Sequence, residues 1–168
     1  MPSSVLCSEP SASSSGCKPV SPVHYRLVDS NRAGEYLLGQ ARIAAQRSHA
    51  PYSRFPVGAV VRDASGQTYV GCNVESASFG LSICAERAAL FAAIAAGAER
   101  PFTALAMSCP NVSPSLGAAG RMPCGACRQV IAEHLAPDAL IYVDEVGTFR
   151  SADLLPAAFT LQPAGPGR

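Results

Sequence analysis

The chain has 168 residues, 48% hydrophobic and 15% charged, enough for one domain with a full core and too apolar for a wholly disordered chain. Thirteen basic against twelve acidic residues leave a formal charge of +1, without the basic excess that binding a phosphate backbone demands. Seven cysteines (Cys7, Cys17, Cys72, Cys84, Cys109, Cys124 and Cys127) cannot all close into internal disulfides, and residues 1–20 lack the pattern of a secretory leader, so reduced, intracellular thiols are the expectation.

Residues 1–28 are dense in Ser and Pro and are expected to form a disordered tail, since they hold too little apolar surface to offset their ordering entropy. The domain is expected over 29–161, with 162–168, carrying Pro163 and Pro166, as a short C-terminal tail. Asp29 or Ser30 caps a first helix whose Leu37, Leu38, Ala41, Ala44 and Ala45 form one stripe, with Pro51 as its stop. Val57–Val61 and Thr68–Val74 read as strands joined by the turn Asp63-Ala64-Ser65-Gly66. A second helix runs from Cys84 to Ala96 and is closed by Gly97. Thr103–Ser108 reads as a buried strand, 110–122 as a loop, Cys124–Leu135 as a third helix and Leu140–Val143 as a strand. A last short strand is placed at Phe149, and Ser151 is placed as the cap of a terminal turn. No stretch approaches the ~18 consecutive apolar residues of a membrane span. Helices alternating with strands, with one hairpin, predict a three-layer α/β/α sandwich around a mixed, about five-stranded sheet.

Three cysteines stand at two helix starts. Cys84-Ala85-Glu86 opens the second helix, and Pro123-Cys124-Gly125-Ala126-Cys127 opens the third, with the proline as a start signal. Cys124 and Cys127 are i and i+3, so both sulfurs project from one face within one turn. A lone C-x-x-C is equally a redox pair or half a structural zinc site. A third thiol two residues ahead of an acid strengthens the zinc reading, because three protein ligands leave a fourth tetrahedral position open for catalysis. Three thiolates on Zn²⁺ carry a formal charge of −1. Two helix N-termini, Arg87, and Arg128 close in sequence to the second pair would offset it. Glu86, too close in sequence to Cys84 to be a further ligand, is placed to move a proton.

C-A-E-R at 84–87 with P-C-G-A-C-R-Q at 123–129 resembles the zinc-dependent cytidine deaminase family in its homotetrameric, three-cysteine branch. The resemblance runs from about Ala33 to Phe159 and includes Y-S-R-F-P-V-G-A at 52–59, G-C-N-V-E at 71–75, and L-L-P at 154–156 followed by Phe159. It implies one zinc per subunit on Cys84, Cys124 and Cys127, and hydrolysis of cytidine and 2′-deoxycytidine to the uridine nucleosides and ammonia, in pyrimidine salvage. A zinc-bound hydroxide would attack C4, with Glu86 carrying the proton to N3 and then to the departing ammonia. Asn73 and Glu75 would grip a ribose hydroxyl, Phe55 would pack on the pyrimidine, and the Ala85 backbone would meet its polar edge. Phe159 would reach a neighbouring subunit's site, while Arg87, Arg128 and Gln129 would support the metal ligands. A cytoplasmic homotetramer acting on a free nucleoside, with no membrane or nucleic-acid partner, follows from the same resemblance.

Other readings sit beside these. Without the resemblance, Asn73 and Glu75 read first as a turn after a strand, and Phe55 and Phe159 as packing. Cys72 and Cys109 read as small buried fillers, Cys7 and Cys17 as tail thiols. His49 and His134 read as surface residues near helix ends, and His24 belongs to the tail. Phe79 stands where the family commonly has tyrosine, which keeps a stacking surface and loses a hydroxyl, and the 110–122 loop is longer than the usual connection. A deaminase of a modified cytosine nucleoside is the alternative substrate reading; an editor of nucleic acid and a zinc-stabilised scaffold without turnover rank below it.

Overall fold

The computed structural model describes residues 32–161; the expected cap at Asp29–Ser30 and both tails, with Cys7, Cys17 and His24, lie outside them. Helix α1 (Arg32–Ala45) buries the predicted stripe of Leu37, Leu38, Ala41, Ala44 and Ala45. It ends six residues before Pro51. The chain there is drawn into an isolated bridge between His49 and Val74, with His49 N–H donating to Asn73 O at 3.1 Å and Glu75 N–H to His49 O at 2.8 Å. Backbone pairing, and not the proline, sets that boundary.

Strands β1 (Gly58–Arg62) and β2 (Thr68–Cys72) form the expected hairpin, with Gly66 at φ +93° in its turn. Helix α2 (Ala85–Ala95) has Cys84 as N-cap and closes at Gly97, φ +76°. There Ala98 N–H bonds Ala93 O and Gly97 N–H bonds Ile94 O, both at 3.0 Å, the paired bonds of a glycine-terminated helix. After β3 (Phe102–Ser108) the 110–122 segment folds into two 3₁₀ turns, Pro114–Leu116 and Ala118–Arg121. Helix α3 (Gly125–His134) follows, capped by Cys124. Strand β4 (Leu135–Val143) starts five residues before the predicted Leu140, because its pairing with β3 jumps from Phe102↔Leu135 to Ala104↔Leu140 and leaves Pro137 in the irregularity, where no ladder N–H is needed. A second hairpin, absent from the sequence reading, joins β4 to β5 (Gly147–Arg150). Arg150, not Ser151, is the N-cap of the short α4 (Ser151–Leu154).

The sheet has the order β2-β1-β3-β4-β5, with β3 and β4 parallel and all other neighbours antiparallel. Alternation splits its side chains between two layers. Val60, Ala104, Ala106 and Tyr142 pack on α1, while Ala59, Val61, Leu105, Met107, Ile141 and Val143 join Ala89, Leu90 and Ala93 of α2 and Ile131 of α3. Each fully buried Val, Leu, Ile or Met side chain among them stabilises by roughly 1.5–3 kcal/mol. Two glycines let the helices approach closely. A Cβ at Gly58 would enter the α1 backbone at Ala41 and Ala45, and one at Gly71 the α2 backbone at Ala85 and Ala89. The result is the predicted three-layer sandwich around a mixed five-stranded sheet.

The register brings functional segments together. Gly58 pairs with both Cys72 and Ser108, so Val57, Asn73 and Cys109, each one residue beyond, meet at one end of the sheet. A partly buried polar network stands beside that end. Asp144 accepts bonds from Arg42 Nε at 2.8 Å, from Arg42 Nη2, and from Ser108 Oγ at 2.7 Å. Burial alone would raise the Asp144 pKa, but the Arg42 and Ser108 hydrogen bonds outweigh it and hold the carboxyl below its usual range. A depressed carboxylate pKa contributes stability above the unfolded-state value and loses it as pH falls through the folded-state value. Asp144→Asn is therefore expected to cost about 1–2 kcal/mol in denaturant unfolding at pH 7, with the gap from wild type closing below about pH 4. A gap independent of pH would refute a charged Asp144 as its source.

Candidate active site

Two helix starts converge on three sulfurs. Cys84 and Cys124 are the N-caps of α2 and α3, both in extended conformation, and neither side chain caps its own helix. Cys127 lies in the first turn of α3 and is fully buried. The sulfurs of Cys84 and Cys124 are 3.7 Å apart, those of Cys124 and Cys127 3.5 Å apart, and all three lie within 4.8 Å of one another. A tetrahedral zinc with bonds of about 2.3 Å sets its sulfurs about 3.8 Å apart, so three soft donors stand at the spacing zinc requires. Hydrogen bonds from Cys127, then from Arg87 and Cys124, overcome burial and hold the Cys84 thiol down to about 5. Cys127 is pushed up, first by its hydrogen bond to Cys84 and then by burial. The Arg87 guanidinium lies 3.7 Å from the Cys84 sulfur, and both helix N-termini add partial positive charge.

Glu86 is 3% exposed in the first turn of α2 and lines the same cavity as Cys84 and Cys124. Burial first, and then the negative charge of Cys84, push its carboxyl up to about 7 against an opposing backbone hydrogen bond. Such a group holds or releases a proton near neutral pH.

The cavity holds about 370 Å³, within the roughly 300–1,000 Å³ range of small-molecule sites. Phe55, Asn73, Glu75 and Phe79 line it with Glu86 and the sulfurs. Asn73 is more engaged than the sequence implied. Its Oδ1 accepts from Ser48 Oγ at 2.6 Å and Val57 N at 2.8 Å, and its Nδ2 donates to Phe55 O at 2.9 Å. One Nδ2 hydrogen is left for a ligand, and the acceptor of the pair is Glu75. Glu75 Oε2 takes the N–H groups of Tyr52 and Ser53 at 2.9 and 3.2 Å. The Ser53 side chain, partly opposed by burial, keeps that carboxyl below its usual range and so ionised. Phe79, 71% exposed, stands at the rim and meets Tyr52 edge to face at 5.9 Å.

Other expected site residues are placed elsewhere. Ala85 is fully buried and does not line the cavity. Phe159, 66% exposed, flanks a separate depression with Arg100 and His134 and does not reach its own chain's cavity. Gln129 is turned away from the sulfurs, its Nε2 bonding Glu133 Oε1 and Phe159 O at 2.8 Å. Arg128 donates to Pro123 O at 2.8 Å and Leu154 O at 3.2 Å, tying the α3 entry to α4. Cys72 is half-buried, its thiol donating to Arg47 O at 3.3 Å, and is no core filler. Cys109 is buried as expected, with its thiol pushed up to about 12 by burial, yet it lines the cavity. Val57, Met107, Gly120 and Met122 also line it. The sequence carries no polar signal for these apolar walls; their common sheet end comes from strand register.

Residues 31–143 match the family model described as the cytidine and deoxycytidylate deaminase zinc-binding region. The chain is 38% identical over 130 residues to a cytidine deaminase of Sporosarcina psychrophila, covering 75% of this chain and 90% of that protein. It is 43% identical over 125 residues to a cytidine deaminase of Mycobacterium tuberculosis strain H37Rv, covering 74% and 88%. The crystal structure of cytidine deaminase from Burkholderia pseudomallei superposes with a TM-score of 0.66 at 40% identity, covering 74% of this chain and 98% of that one.

Proposed function

The chain belongs to the cytidine and deoxycytidylate deaminase zinc-binding family, and on that premise we propose that it hydrolyses cytidine and 2′-deoxycytidine to the corresponding uridine nucleosides and ammonia. The observation that carries this reading is the buried Glu86 carboxyl at the wall of a nucleoside-sized cavity that also exposes the Cys84 and Cys124 sulfurs. Cys84, Cys124 and Cys127 would hold one zinc, which when bound would supply Lewis acidity and make water a competent nucleophile. Glu86 takes a proton from the attacking water and delivers it to N3 of the ring; it then takes the proton of the new C4 hydroxyl and passes it to the leaving amino nitrogen, so that the C4–N bond breaks as the C4 carbonyl forms. Arg87 donates to the Cys84 sulfur and lowers the negative charge that three thiolates would place on the centre. Asn73 offers a donor and Glu75 an acceptor to a sugar hydroxyl, while Phe55 packs on the ring. Phe79 gives the rim an aromatic surface with no hydroxyl for the sugar.

The reading extends to a homotetramer working in cytoplasmic pyrimidine salvage. Phe159 and Leu161, 66% and 79% exposed, support an assembly in which this segment covers a neighbouring chain and Phe159 reaches its cavity. Among the described residues, no helix is long and apolar enough to cross a membrane.

Ammonia release tests the reading directly. Cytidine, 2′-deoxycytidine, an aminoacylated cytosine nucleoside and a cytosine-containing oligonucleotide are offered before and after zinc is chelated. Zinc-dependent release from the first two is expected. Release from the aminoacylated compound alone would favour a modified-nucleoside deaminase, and release from the oligonucleotide alone an editor. Silence from all four with zinc bound would make the chain a scaffold.

A further inference from the structure

The segment between β3 and α3 has a defined shape. Val112 is buried in the core beneath it and Met122 packs against the same cluster. Gly117, φ +54°, links its two 3₁₀ turns, and Gly120 lies so near the first that a Cβ would fall 2.7 Å from Leu116 Cβ. Cys109, Gly120 and Met122 thereby line the cavity that Glu86, Cys84 and Cys124 also line.

Both ends of this segment are tied to the three-residue turn 144–146 between β4 and β5. Asp144 accepts Ser108 Oγ at 2.7 Å, and its N–H donates to Met107 O at 3.0 Å, which fixes the β3 end. Glu145, in the left-handed region at φ +59°, accepts Arg121 Nη2 at 2.7 Å, which ties down the end next to Met122. The Arg121 side chain is only 17% exposed, although Glu145 is 69% exposed. Two neighbouring acids of one turn thus reach the two ends of one cavity wall.

We propose that this turn is a clasp that sets the width of the cavity, with Glu145 as a positioning residue acting through Arg121, and Met122 as the side chain that selects among cytosine nucleosides by size. The inference rests on the function proposed above. A flexible thioether on a wall held by one exposed ion pair yields to a larger ring only when the pair opens. Such a pair shifts an equilibrium by a small factor, about two- to fivefold.

The test uses the zinc-loaded full chain and its Glu145→Gln, Arg121→Gln, charge-exchanged Arg121→Glu/Glu145→Arg and Met122→Ala variants. Either single neutralisation is expected to raise KM for cytidine about two- to fivefold with kcat unchanged. Each should also speed, by a similar factor, the labelling of Cys109 by a small maleimide, followed on its own peptide by mass spectrometry. The charge exchange should return both readouts to wild type. Met122→Ala is expected to improve kcat/KM for 5-iodocytidine relative to cytidine by at least about threefold. Unchanged KM and unchanged Cys109 labelling in both single variants would overturn the clasp, and an unchanged substrate ratio would overturn the role of Met122. A wild type that deaminates no cytosine nucleoside fails the function reading alone, because Cys109 labelling still reports whether Glu145 holds the wall.

Discussion

A Cys124→Ala chain is expected to purify with almost no zinc and to lose essentially all deaminase activity. Cys124 is the middle member of the trio, with sulfur neighbours at 3.7 Å in Cys84 and 3.5 Å in Cys127. Removing it leaves one thiol from each of two helix starts, and a two-ligand site cannot compete for zinc against water and buffer. The variant separates metal loss from local misfolding, because the Cys124 side chain makes no capping bond to α3. The helix keeps its other contacts, including Arg128 N–H to Cys124 O at 3.0 Å. Zinc binding stabilises the folded state in proportion to the logarithm of free metal over the dissociation constant, about 4 kcal/mol at a thousandfold excess. Added zinc should therefore raise the melting temperature of the wild type by several degrees and leave the variant unmoved. Metal analysis and thermal melts with and without zinc provide the check. A Cys124→Ala protein that still holds one zinc per chain would contradict the ligand assignment.

Glu86→Gln is expected to keep zinc and lose about 10²–10⁴ in kcat, the usual worth of a positioned acid–base group and roughly 3–5 kcal/mol of barrier. The substitution preserves shape at a site only 3% exposed, so the cavity and the sulfur trio should persist. Glutamine cannot take a proton from water or hand one to N3, whereas a carboxyl pushed by burial to about 7 is able to do both near neutral pH. KM should change little, because the lost interaction belongs to the transition state. Zinc content together with steady-state kinetics decides the matter. Near wild-type turnover would remove Glu86 from the proton path, and loss of zinc would make its role structural.

The two substitutions rely on different levels of the molecule. The proposed ligand set rests on residue type and spacing: Cys124 and Cys127 one helical turn apart after a proline, and Cys84 two residues before an acid. Those are local relations, and a helix start expresses them wherever it lies. Glu86 was legible for the same reason. Its burial was not, because burial depends on what α3 and the end of β3 place over it.

At two element boundaries a local signal competes with a distant one, and pairing wins. Pro51 looked like the stop of α1, yet the helix ends at Ala45 because His49 bonds Asn73 and Glu75 across the domain. Pairing with Phe102 carries β4 back from the expected Leu140 to Leu135, across Pro137 and Asp138, which are poor strand residues. Gln129 follows the metal-binding motif directly in sequence, and the helix turns it toward the C-terminal segment instead.

What the sequence determined by itself was therefore the chemistry of short range: the α/β alternation, the glycine-closed second helix, the three thiols at two helix starts and the acid beside them. Periodicity, caps and i,i+3 spacing act within a turn or two, so they survive without knowledge of partners. Only the tertiary structure decided which walls enclose that chemistry. Strand register brings Val57, Asn73 and Cys109 to one end of the sheet, and a turn near the end of the domain holds Met122 through Arg121 and Glu145. These contacts join residues tens of positions apart, and their energy comes from packing and pairing, which no local pattern records.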